Sequence, residues 1–286
     1  MTHWFFKFAQ KLLLLAALAL VGALLCATMV RFAPGFGVDE RELDSRLSRA
    51  SKEAIRSENQ TGSGLFAYYR AYVSDLLRGN FGTSAFLRQP VGELLKERAP
   101  VTARAVLLGL LAAWIAATAL SLLTIRSQAW SLDYLATAFT GFLIALPAAV
   151  VALLCLYLRA PVFVGIALVT LPRLFRYQHN LFAQAHAQPF VLAASARGVS
   201  RNRILFHHVI PVTWQPLVAL LGVSVSMAFG AAIPLEALSD SPGIGQLAWQ
   251  AALNRDLPLL TSITLFVTLL TVGVNSLAGS IHERQP

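Results

Sequence analysis

Apolar residues run almost unbroken from about Phe8 to Val30, and comparable runs recur at about Ala103 to Ile125, Leu132 to Leu158, Val162 to Phe182, Val212 to Leu235 and Leu257 to Ser280. A helix needs about 20 apolar residues to cross the hydrocarbon core of a bilayer. None of the runs shows the weak alternation of a membrane barrel. The pattern therefore predicts an all-α integral membrane protein with six transmembrane helices. It divides the chain into residues 1–31 (N-terminal tail and first helix), an extracytoplasmic, periplasmic insert at 32–100, and a transmembrane core at 101–286. The core is interrupted between its fourth and fifth spans by a polar, helix-prone loop within 183–211, whose central stretch is QPFVLAASARGVSRNRILFHHVIP, Gln188 to Pro211.

Punctuation along the chain refines this layout. Arg31, Pro34, Gly35 and Gly37 end the first span. In the insert, Leu43, Leu47, Ala50 and Ala54 predict a thin amphipathic helix, residues 60–64 a loop, and Phe66 to Leu77 a second amphipathic helix ended by Arg78 and Gly79. A short helix over Val91 to Arg98 precedes a break at Pro100, and Pro147 predicts a kink inside the third span. Arg173 and Arg176 fall in the inner half of the fourth span, where such side chains snorkel toward the cytoplasmic surface. Gly222, Ser226 and Gly230 give the fifth span a small-residue face suited to close helix contact. Ser239 to Asp256 reads as a re-entrant or surface segment on the far side.

Composition agrees with a membrane protein: 56% of the 286 residues are hydrophobic and 13% charged, against about 25% charged in soluble domains. The net charge of +9 is a matter of topology rather than nucleic-acid binding, because Arg126, Arg173, Arg176, Arg197, Arg201, Arg203 and Arg284 all fall on one side, against Arg159 and Arg255 in the short outer loops. That bias puts both termini in the cytoplasm. Cys26 and Cys155 lie in separate apolar runs, so neither a disulfide nor a metal site is expected. The first apolar run exceeds a signal-peptide core, and the residues before Cys26 suit lipoprotein cleavage poorly, so the segment is expected to remain as a span.

The chemistry of a self-sufficient enzyme is missing. The sequence has no phosphate-binding G-x-x-x-x-G-K-S/T loop, no serine nucleophile elbow and no H-E-x-x-H. His207 and His208 are adjacent and so point to different faces of a helix, while Glu93 and Glu97 are flanked by Lys96 and Arg98 as in a solvated charge pattern. In the central loop, Ala193 and Ala194, then Gly198, then Pro211 describe a short helix, a glycine turn and a second helix. Small residues let such a helix enter another protein's groove. Beyond the fifth span, Glu236 stands beside a turn containing Pro242, Gly243 and Gly245. An acid at the membrane edge is a functional candidate, its alternative being a cap or hydrogen-bond partner for that turn.

Four stretches carry a resemblance. Asp75 to Ser84 (DLLRGNFGTS) with Gln89, Pro90 and Val91, the loop from Pro189 to Ser200 with His208 to Pro211, Glu236 with Ser241 to Gly245, and Asn254 to Pro258 (NRDLP) resemble, in this order, motifs of the permease subunits of binding-protein-dependent ABC importers of the dipeptide, oligopeptide and nickel class. Asn275 falls where that family has an asparagine. Departures are a very short connection between spans three and four, Ser195 in place of the first basic residue of the loop's core, and Gly279 where an aspartate is common.

The resemblance implies a subunit of the inner, cytoplasmic membrane of a bacterium, with its Pro189 to Ser200 loop forming the coupling helix of the "EAA" motif. ATPase coupling would fall to Ala193, Ala194, Arg197, Gly198 and Pro211. ATP would be bound by two separate ATPase subunits, with no cofactor in this chain. The other implied partners are a second homologous permease and an extracytoplasmic substrate-binding protein, with peptides or a similar small solute as cargo. The rival readings are an ion-coupled secondary transporter, which would need acids near the mid-membrane level and repeated halves, and a non-transporting membrane scaffold.

Overall fold

The computed structural model describes residues 72–76, 78–127 and 129–282, together with residue 70 and scattered helical positions between 17 and 32. The body of the predicted first span, the first amphipathic helix of the insert and its loop at 60–64 lie outside the described residues. The described helices, in chain order, are α1 (Val91–Ser127), α2 (Trp130–Ala145), α3 (Ala148–Tyr157), α4 (Val162–His186), α5 (Pro189–Ala196), α6 (Arg201–Ile204), α7 (Ile210–Leu238), α8 (Ile244–Leu253) and α9 (Leu257–His282). A π-turn at Leu205–Val209 joins α6 to α7. Among the described residues there is no strand beyond one isolated bridge, Thr83 with Pro90.

Three helical stretches are long and apolar enough to cross a membrane, Val91–Ser127, Arg201–Leu238 and Leu257–Gly279, and the bent pair α2 and α3 makes a fourth if counted as one span. Helix α4 has the length, but Arg173, Arg176, Gln178 and His179 make its second half more polar.

Two boundaries differ from the expectation, both at prolines. The short helix and the second span are one continuous α1 through Pro100. Lys96, whose carbonyl loses its helical donor to Pro100, is exposed, so water can satisfy it. At Pro147 the expected kink is a break: α2 and α3 meet at 94°. Leu146, as the residue before a proline, is extended, with φ −77° and ψ 122°.

Contacts divide the chain into two units, residues 1–96 with 250–268 and residues 97–249 with 269–286. In the larger unit, α7 packs on α4 and α3, and α2 packs on α4. Its mid-bundle core is Ala113 and Ala117 of α1, Ala136 of α2, Leu174 and Phe175 of α4, and Leu220 of α7. Close approach is set by small residues. A Cβ on Gly109 would lie 2.8 Å from the Ile166 side chain, and one on Gly165 2.3 Å from Leu235. Inside this apolar packing Trp114 Nε1 donates to Ser224 Oγ at 3.1 Å and Thr118 Oγ1 to Gln178 Oε1 at 3.0 Å, while Gln178 Nε2 has no hydrogen-bond partner. At the Ser127 end of α1, Thr124 Oγ1 lies 3.1 Å from His179 Nδ1, and the other ring nitrogen lies 3.3 Å from Asp133. Leu111, Ile115, Phe139 and Phe142 remain exposed on the bundle surface, as lipid-facing side chains do.

Candidate functional site: the 188–211 loop and the Glu236 turn

The loop after α4 is built as a knob on a hydrophobic base. Pro189 stands in the first turn of α5, where its missing N–H costs nothing. The helix ends because Gly198 takes a φ of +76°, which lets the Val199 amide reach back to the Ala194 carbonyl at 3.2 Å. Val191 and Ala194 turn inward onto Ile125, Phe182, Ile204, Leu205 and Val209. The outward face carries Leu192, 73% exposed, with Ala193, Ala196, Arg197 and Gly198 also exposed. The two adjacent alanines therefore do different things: Ala194 is a core residue at 1% exposure, and only Ala193 is available to a neighbour. Arg197 Nε donates to the Ala193 carbonyl at 3.2 Å, completing the helix end.

Below this base, Arg126 Nε donates to Asn202 Oδ1 at 2.8 Å, tying α1 to α6. Pro211 sits in the first turn of α7. It has no amide to offer the His207 carbonyl, and the preceding residues widen into the π-turn that accommodates it. From Arg201 to Leu238 the chain is thus one helical rod.

At the far end of that rod Glu236 is fully buried. Helix α7 stops as α5 does: Asp240 takes φ +52° and the Ser241 amide bonds back to the Glu236 carbonyl at 3.0 Å. The chain then folds over the Glu236 side chain. The Gly245 amide donates to Oε2 at 2.7 Å, while Oε1 is buried without a hydrogen-bond partner. Thr102 Oγ1 in turn accepts the Ile244 amide at 2.7 Å. Glu236 and Thr102 thereby take up first-turn amides of α8 that have no helical acceptors. Pro242 is exposed at the apex. The two glycines are there for space: a Cβ on Gly243 would fall 2.2 Å from Glu236 Oε2, and one on Gly245 2.7 Å from the Ile233 Cα. Gln246 closes the turn, donating to Asp240 and accepting from Arg98 at 3.3 Å.

Of the small residues in α7, Gly222 and Ser226 face α9 of the same chain. A Cβ on Gly222 would lie 2.8 Å from Asn275 Oδ1, and Asn275 Nδ2 donates to Ser226 Oγ at 3.1 Å. Gly230 has nothing within 4 Å of a built Cβ and instead borders a cavity of about 450 Å³ at the α2–α3 break.

In the smaller unit, two motif stretches distant in sequence meet at Asp256. Its carboxylate accepts Ser84 Oγ at 2.5 Å, the Phe86 amide at 3.1 Å and the Leu259 amide at 3.2 Å, so one buried acid both caps α9 and holds the 82–90 loop. Ser262 Oγ donates to the Phe81 carbonyl at 3.2 Å and lies 3.3 Å from the Tyr72 hydroxyl. Sequence reasoning missed this role of Asp256. The available signal was an acid immediately before a helix with proline in its first turn.

Residues 105–285 match the family described as the binding-protein-dependent transport system inner membrane component. The chain belongs to this family. Its members are permease components of transporters, and the permease described here is accordingly a multi-pass membrane protein. It is 23% identical over 271 residues to the oligopeptide transport system permease protein AppB of Bacillus subtilis, covering 84% of this chain and 85% of that one. It is 24% identical to the probable peptide ABC transporter permease protein y4tP of Sinorhizobium fredii, covering 78% and 80%. It is 25% identical to the nickel import system permease protein NikB of Staphylococcus aureus, covering 87% and 81%. These similarities make the permease a transmembrane subunit of the ABC importer class.

Proposed function

We propose that this permease moves a peptide or similar small solute from an external binding protein into the cytoplasm, driven by two separate ATPase subunits that engage the 188–211 loop, and that it works beside a second, related permease. The single observation that carries the coupling role is the construction of α5. A helix of eight residues presents Leu192, Ala193 and Arg197 outward while its inner side is fixed to a core shared by α1, α4, α6 and the start of α7. A push on the outer side is transmitted because the inner side cannot slide independently of a close-packed core. The arginines of the loop and of Arg126 support a cytoplasmic placement.

The permease supplies no phosphate-binding loop of its own, so hydrolysis belongs to the partners and displacement to this chain. The test is co-purification and ATP hydrolysis. The tagged chain brings down ATPase subunits and a paralogous permease, and Gly198→Trp abolishes substrate-stimulated hydrolysis by the complex while leaving membrane insertion intact. A built Cβ at Gly198 meets nothing within 4 Å, but the φ of +76° strains any side chain there, so Ala193→Trp, at an exposed helical position, is the companion variant that obstructs docking without disturbing that turn. Unchanged stimulation refutes the coupling role.

A further inference from the structure

The cavity at the break between α2 and α3 holds a positive charge with no counter-charge. Its walls include Leu143, Leu146, Pro147, Val169 and Met227, and Arg173 lines it with them. Arg173 is exposed to that space and, among the described residues, has no ion pair or hydrogen bond. It lies near the middle of α4, between Val162 and His186. An unpaired guanidinium at that depth is costly and marks a functional site by default.

The position also argues against simple snorkelling toward the surface that carries the 188–211 loop. Side chains of a helix lean toward its N-terminus, which for α4 is the Val162 end, away from that surface. Helix α2 measures the depth. Asp133, in its first turn, lies against His179, whereas Arg173 reaches residues 143–148, at its last turn and beyond. The distance from Asp133 to Leu143 along α2 is roughly 15 Å at about 1.5 Å per residue, so Arg173 reaches a level well along the bundle from the Asp133 end. Transporters use the N-termini of broken helices to face anionic groups, and α3 begins at Ala148 on the wall of this cavity.

We infer that this cavity, with Arg173 as its one cation and an otherwise apolar wall, is a subsite for the carboxylate of a passing solute, the apolar wall receiving the adjoining side chain. The inference rests on the importer reading and adds to it a chemical class of cargo: small molecules bearing a carboxylate next to an apolar group. The cavity volume is in the range of small-ligand sites, which are mostly apolar with a few orienting polar groups.

The test uses the full-length chain in phosphatidylcholine nanodiscs, where no anionic headgroup competes, with radiolabelled trialanine and trialanine amide as probes. The acid binds about tenfold or more tightly than the amide, as expected for loss of a hydrogen-bonded charge. Arg173→Gln removes the difference and Arg173→Lys retains most of it. Gly230→Trp, which places a ring in the cavity, removes binding of both probes. Equal binding of the two probes, no binding of either at millimolar concentration, discrimination that survives Arg173→Gln, or binding unaffected by Gly230→Trp each overturns the inference. If anionic phosphatidylglycerol in the discs abolishes trialanine binding, while Arg173→Gln has no effect on it in phosphatidylcholine, the anion seen by the chain is a lipid headgroup and the inference fails. ATPase co-purification scored on the same cells keeps the two readings separate. Association without carboxylate preference overturns the subsite alone, and carboxylate preference without association overturns the importer reading alone.

Discussion

Replacing Gly243 with alanine adds one methyl group, and its cost is set by one neighbour. The built Cβ lies 2.2 Å from Glu236 Oε2 and 2.5 Å from Oε1, so the carboxylate must retreat by more than an ångström to reach ordinary contact. Backbone strain plays no part, since Gly243 is not among the glycines with positive φ. Retreat pulls Oε2 away from the Gly245 amide it accepts at 2.7 Å and orphans a buried N–H, a loss of about 2–4 kcal/mol. For a chain of this size that lowers the melting temperature by about 5 °C or more. The decisive measurement is a double-mutant cycle on the purified permease in detergent, with thermal unfolding followed by loss of the monodisperse peak. Glu236→Ala is itself destabilising because the Gly245 amide loses its acceptor. Adding Gly243→Ala to it costs less than about 0.5 kcal/mol, since the clashing group is gone. If the two losses add, or if Gly243→Ala alone is silent, the carboxylate is not what excludes a side chain at position 243.

Three further outcomes follow from the same geometry. Asp256→Ala orphans the Ser84 hydroxyl and the Phe86 and Leu259 amides, costing about 3 kcal/mol or more; limited proteolysis detects it as new cleavage within residues 82–90, and an unchanged digest refutes it. Ala194→Leu overpacks the core under α5 and destabilises by about 1–3 kcal/mol, whereas Ala193→Leu leaves thermal stability unchanged because that position is exposed; equal effects contradict the division of roles between the two alanines. Asn275→Ala breaks the bond to Ser226 and lowers stability by about 1 kcal/mol, and Ser226→Ala adds little to it in the same thermal assay.

The helical class and the polar interruption between α4 and α7 were legible because they depend on run length and on turn residues, which are local. Gly198 shows this best: a glycine after a short alanine-rich run predicts a helix end, and the left-handed φ is there. Partner choice within a bundle was not legible. Gly222 and Ser226 mark a face suited to close helix contact, and only the three-dimensional path of α9 shows that Asn275 lies against both. Ala193 and Ala194 are alike in sequence, and a rotation of about 100° per residue separates core from surface. The break at Pro147 exceeded a kink because the proline constrains its predecessor as well as itself, and Leu146 yielded to an extended conformation. Asp256 was visible as an acid but not as a hub, since its partners Ser84 and Phe86 are more than a hundred residues away.

The motif stretches of the larger unit are ends of one object. The 188–211 loop passes through α6 and the π-turn into α7, and α7 ends at Glu236, whose side chain holds the first turn of α8. A helix is stiff along its axis, so displacement imposed at the exposed face of α5 reaches the Glu236 turn without requiring any intervening residue to change partner. The exceptions are the π-turn, where Pro211 has already removed one helical hydrogen bond, and Pro216 and Pro234 inside α7, each of which removes another. Bending is easier at these points than elsewhere between Arg201 and Leu238, and at the π-turn a widened turn can return to α-helical pairing at little cost. The rod therefore divides into a short segment that follows the loop and a long segment that carries Glu236, with Val209 buried at the joint. A tilt of the loop that leaves the joint unbent would move the Glu236 turn by an amount that grows with the length of α7, whereas bending at the joint absorbs it. On this geometry the π-turn sets how much of the loop's motion reaches the far end, and the hydrogen bonds around Glu236 make α8 move with it.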